Sequence, residues 1–125
     1  LQPTAEFILH SLVVLHFIGL AALLGGFLTQ MKAMGKGQAA IVPAMVHGAW
    51  TMLITGTLLV VVREWMAVMQ WDDALDHTKM GVKSLIVTVI LILVIHFRKK
   101  PSVSAKVFGA IGLLTVLNVV LAVFW

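Results

Sequence analysis

Cysteine is absent from the 125 residues. Disulfide scaffolds, thiolate metal sites, Cys-attached haem and cysteine nucleophiles are excluded with it, and any metal must be held by His, Met or oxygen. Charge is scarce as well, at 11% of residues, where an ordinary soluble domain carries ~25%. No Ser/Gly/Pro-rich tract, charged tail or low-complexity segment interrupts the chain, so it reads as one compact domain without a linker. There is no H-E-x-x-H, no phosphate loop, no Gly-x-Ser-x-Gly and no carboxylate pair within a helix. Hydrolase and nucleotide chemistry are left without support.

What is present is apolar. Hydrophobic residues make up 61% of the chain and the mean hydropathy is +1.07, which requires a lipid bilayer as much of the solvent. The formal net charge of +4 does not point to nucleic acid. The Lys and Arg residues sit at the ends of apolar runs, where lipid headgroups and the insertion machinery act on them.

A hydrocarbon core of ~30 Å needs about 20 helical residues. Runs of that size occur at 7–29, at 41–62, where Pro43 falls in the opening turn and costs little, and at 107–125. A further span requires more argument. Residues 84–97 are uncharged but give only about 21 Å of helix, so the span must begin near Thr78 and immerse Lys83. The first run is longer than the ~7–15 apolar residues of a signal peptide and lacks a basic leader; it is expected to be a span. The fold class is therefore all-α, an up-down four-helix transmembrane bundle with short connections.

The first connection, 30–40, carries Lys32 and Lys36, and the last, 98–106, carries Arg98, Lys99, Lys100 and Lys106. The middle connection holds Glu64, Asp72, Asp73 and Asp76. The excess of Lys and Arg predicts that the first and last connections are cytoplasmic and both termini outside. Trp65, Trp71 and Trp125 fall at the expected outer interface; Trp50 does not. Gly19, Ala22 and Gly26 form one small-residue ridge, and Ala105, Gly109 and Gly112 another. Either ridge suits packing within the chain, a homodimer, or contact with another membrane protein.

Helical spacing sorts the polar residues onto faces. His47, Thr51 and Thr55 recur at intervals of four in the second span. His77, Gly81, Ser84 and Thr88 line one face of the third, and Thr115 and Asn118 share a face with Ile111 and Ala122 in the fourth. In the first, His16 lies on the side of Gly19 and Gly26. At ~1.5 Å per residue from the outer edge, Lys83 lies about 8 Å deep, Thr55 and Asn118 about 10 Å, His16 about 13 Å and His47 about 22 Å. Four helices thus offer polar atoms to one layer. Ser and Thr also bond their own helix, Asn also links helices, and a Lys one turn down also snorkels to headgroups. An ionisable histidine at mid-bilayer on a glycine-lined face is a functional candidate. His10, on a face with Val14, Phe17, Ala21 and Leu24, is expected to face lipid, and His96 to sit at the cytoplasmic edge. His77, beside Asp72, Asp73, Asp76 and Met80, is a candidate outer metal collector. The seven methionines, including Met31, Met34, Met66 and Met69, admit a Cu(I) reading as well as a packing one.

These residues resemble a broad group of small bacterial four-helix membrane proteins that includes the HemJ-type protoporphyrinogen oxidases and the copper-resistance D domain. The likeness rests on Leu15-His16 followed by Gly19 and Gly25-Gly26, on Thr55-Gly56, and on His77-Thr78-Lys79 with Lys83. It covers most of the chain through short motifs. By that resemblance His16 matches the first-helix histidine, a haem ligand or catalytic group, and Lys83 or Lys79 the lysine of the third helix. The chain differs from the oxidase in having no tyrosine and no Pro-Arg or second histidine in its first loop, and no reaction is assigned.

The leading expectation is a haem or porphyrin site, with His16 or His47 as axial ligand, Lys83 as counter-charge, and Thr55, Ser84 and Asn118 in the same layer. The first alternative is passage of copper or another cation, with Met66, Met69 and His77 as outer collectors and His16 and His47 as inner metal stations. The second is a non-catalytic helper subunit.

Overall fold

The computed structural model describes residues 2–71 and 77–124, except for the side chain of His77. It contains five helices: α1 (Gln2–Thr29), α2 (Met31–Gly35), α3 (Pro43–Val68), α4 (His77–Phe97) and α5 (Ala105–Phe124). Strands are absent among the described residues. All but α2 are long and apolar enough to cross a membrane, so the chain is an all-α, multi-pass membrane bundle.

Local chemistry sets the helix ends. Pro43 takes the first helical position of α3, where its missing N–H is no loss. The Ser104 hydroxyl accepts from Val107 N at 3.3 Å at the start of α5. Two ends depart from the sequence reading. α1 starts at Gln2 and α3 runs to Val68, because charged residues end the hydrocarbon-soluble stretch but not the helix. Beyond Val62, α3 carries Met66 against Ala5 and Leu9, and Trp65 meets Trp71 with ring centroids 5.7 Å apart. Trp125 and Asp72, Asp73 and Asp76 lie outside the described residues.

α1 packs chiefly on α3, α3 on α4 and α4 on α5, and α5 touches α1 to close the ring. The α1–α3 seam is the tightest. A Cβ on Gly48 would stand 2.5 Å from Gly19 O and 2.6 Å from Leu23 N, and one on Gly19 would stand 2.9 Å from Thr51 Cβ. The two backbones therefore touch, as small residues permit in membrane helices. On the second ridge, a Cβ on Gly112 would enter the Phe27 ring, which stacks on Phe108. Gly19, Gly26 and Gly112 are thus used within the chain, whereas Ala105 is exposed and Gly109 half-buried.

The connections at the two ends differ in charge. The basic end holds 30–42 and 98–104, tied together by Val103 N donating to Ala39 O at 2.7 Å; the opposite end holds Glu6 near the start of α1 and Glu64 near the end of α3. Two apolar clusters fill the bundle. The larger, with Leu23, Phe27, Met45, Met52, Ile90, Val94, Phe108 and Ile111, lies toward the basic end. The smaller, with Ala5, Leu9 and Met66, lies toward the acidic end. Outside, large apolar side chains such as Phe17, Leu85 and Leu113 are exposed. This inverts a soluble protein's surface and is the face a bilayer covers.

Candidate functional site

Between the two apolar clusters lies a polar layer. Thr55, Thr115 and Asn118 are its buried polar residues. The Thr115 hydroxyl donates to Ile111 O at 2.8 Å within its own helix, which satisfies it locally. Thr55 donates to Thr51 O at 2.6 Å. Thr55 Oγ1 also stands 2.8 Å from His16 Nδ1, a hydrogen bond that ties α1 to α3 and orients the imidazole. With the hydroxyl's one hydrogen on Thr51 O, the imidazole is the donor and Nε2 carries the lone pair. Gly56 lies beside the ring, where a Cβ would be in ordinary contact, 3.5 Å from His16 Cε1.

His16 lines a cavity of about 190 Å³ with Lys83, Ser84, Arg63 and Asn118, walled by Gly56, Leu59, Val60, Met80 and Ala122. Its lining comes from all four long helices. Among the described residues, Lys83 makes no hydrogen bond or ion pair. Asn118 is 6% exposed and its Oδ1 has no partner. A buried amide oxygen without a donor costs ~1–3 kcal/mol, and such an atom facing a cavity marks a position where a ligand or water donates. The imidazole of His16, the Lys83 side chain and one unpaired amide oxygen thus line a common space. That arrangement can hold a molecule with an anionic group together with a Lewis-acid centre or a donor.

The expected layer residues His16, Thr55, Lys83, Ser84 and Asn118 do come together. His47 does not. It is exposed and lines a separate cavity near the basic end, about 12 Å along α3 from Thr55. The stripe at intervals of four fails because each such step turns the helix a further ~40°, so two steps carry His47 about 80° from Thr55. His16 and His47 therefore cannot share a metal. The side chain of His77, with its acidic neighbours, is outside the described residues. Met66, expected as an outer copper collector, is buried against Ala5 and Leu9. No group of three or more His, Asp or Glu able to hold a metal occurs among the described residues. His10, Val14, Phe17 and Ala21 are exposed on the lipid side, as their shared face implied.

Arg63 and Met80 are the lining residues that sequence reading missed. Ending the second span at Val62 placed Arg63 in a loop, yet Gly56, Leu59, Val60 and Arg63 follow helical spacing, and α3 continues through them. That continued periodicity was the available signal.

The donor set suits an axial histidine: ligating imidazoles donate their second ring N–H to a neighbour that orients them, as His16 does to Thr55. The enclosed volume is below the ~300–1,000 Å³ of pockets that surround a drug-sized ligand, so a macrocycle would be only partly enclosed. No family model matches the chain, and no curated protein or solved structure matches it significantly.

Proposed function

We propose that this membrane protein binds haem or a related porphyrin at the His16 cavity. The observation that carries the reading is the His16–Thr55 hydrogen bond, which orients the imidazole beside a cavity shared with Lys83. His16 would supply the axial ligand and Lys83 the counter-charge for a propionate, with Asn118 Oδ1 accepting from a protonated group. When bound, the group would supply redox or ligand-binding chemistry at its iron. The chain's own contribution is to orient one imidazole, hold an anionic substituent and keep the surroundings apolar. The separation of basic and acidic connections supports an orientation with 30–42 and 98–104 in the cytoplasm and both termini outside.

Cation passage has weaker support, because His16 and His47 line separate cavities and no group of three or more His, Asp or Glu able to hold a metal occurs among the described residues.

The test is an absorption titration of the purified protein with haemin. A Soret band with saturable, near-stoichiometric uptake that is lost in His16→Ala is expected, and His47→Ala should bind as the parent does. Protein that takes up no haemin, or equal uptake by His16→Ala, refutes the reading.

A further inference from the structure

Of the five acidic residues, the two described, Glu6 and Glu64, lie near the start of α1 and the end of α3. Six of the nine Lys and Arg residues, Lys32, Lys36, Arg98, Lys99, Lys100 and Lys106, belong to the other end. Among the described residues no carboxylate lies at that basic end. Lys100 rests over the Phe97 ring at 5.5 Å. Arg98 and Lys99 instead border a cavity of about 300 Å³, together with His47, Ile41, Pro43 and Val46. Among the described residues neither cation has an ion-pair partner.

We propose that this cavity is a binding site for the phosphate headgroup of an anionic membrane lipid. Arg98 and Lys99 supply the charge, and His47, exposed and away from the His16 layer, supplies a further hydrogen-bonding group on the same cavity. Pro43 opens α3 beside the cavity, and no side chain caps that helix, so its positive dipole end adds to the attraction. The C-terminal dipole of α4 favours cations at 98 and 99 but does not account for a space between them and α3. Ile41, Val46 and Pro43 form an apolar wall on the other side. A free phosphate ion has no use for such a wall, whereas a lipid presents an acyl-linked glycerol to it. Basic pockets between membrane helices recognise anionic headgroups in this way. The cross-link between the two connections, Val103 N to Ala39 O, holds Arg98 and α3 in fixed relation. This site is separate from the His16 cavity, and the inference does not rest on the porphyrin reading.

Native mass spectrometry of the full chain from micelles containing phosphatidylcholine and phosphatidic acid tests it. The parent should retain one phosphatidic acid in preference to phosphatidylcholine. Arg98→Gln with Lys99→Gln should weaken retention about 30-fold, while Lys32→Gln with Lys36→Gln, matched in charge at the same end but away from the cavity, should change it by less than about threefold, as exposed charges on a screened surface do. Val46→Phe, which crowds the cavity and alters no charge, should also lower retention. Equal losses in the two double variants would mean diffuse surface attraction and overturn the proposal. So would unchanged retention in Val46→Phe, or inorganic phosphate binding as tightly as phosphatidic acid. Circular dichroism of each variant, which should match the parent, reports that the fold is retained.

Discussion

Replacing Thr55 by valine keeps the shape of the side chain and deletes one oxygen. That oxygen accepts from His16 Nδ1 at 2.8 Å and donates to Thr51 O at 2.6 Å. Thr51 O, at the i−4 position, still has its helical partner, so the damage falls on the histidine. Its N–H loses its acceptor in a half-buried setting, at a stability cost of about 1 kcal/mol, within the ~0.6–2 kcal/mol range for interhelical bonds in membranes. The larger effect is on the ligand. Without the hydroxyl nothing holds the Nδ1–H tautomer or the ring's orientation, and loss of such an orienting partner weakens metal affinity ~10–100-fold. Haemin titrations of Thr55→Val should therefore show an affinity lower by about that factor, with the parent's stoichiometry. Thr115→Val is the matched control. Its hydroxyl is equally buried and bonds only Ile111 O, so its titration should overlay the parent's. Equal behaviour of the two valine variants, whether both weak or both unchanged, would refute the assigned role of the His16–Thr55 bond.

The close α1–α3 seam makes a paired forecast for unfolding in mixed micelles. Gly48→Ala forces a methyl group into the Gly19 and Leu23 backbone and should cost about 1–3 kcal/mol, whereas Gly25→Ala, where nothing lies within 4 Å, should be neutral or stabilise by up to ~1 kcal/mol. Asn118→Leu removes an unpartnered buried oxygen, so the ligand-free protein should gain about 1 kcal/mol while haemin binds less well; a less stable ligand-free protein would show that Asn118 is already satisfied. Orientation can be read with single cysteines on the naturally cysteine-free chain. Gln38→Cys should resist an impermeant thiol reagent applied to intact cells and Gln70→Cys should react, and the reverse pattern would overturn the assigned topology.

How much of this was legible in the residues follows from the range over which each force acts. Hydropathy and length are local properties of a segment, and they determined four spans, an all-α class and the need to immerse Lys83, because a helix satisfies its backbone without help from elsewhere in the chain. The asymmetry of charge was equally plain, since it depends only on which connection a residue occupies. Helical phase over one or two turns placed His10 toward lipid and Thr115 with Asn118. Over longer stretches phase alone failed, and His47 turned away from the face of Thr55. Which partner meets which was decided only by tertiary structure. Gly48, unremarked in the sequence, touches Gly19 because two backbones meet there, and Arg63 joins the cavity because α3 continues past the hydrocarbon edge. The orientation of His16 belongs to the same class. No spacing in the chain encodes it, because it depends on a hydroxyl 39 positions away.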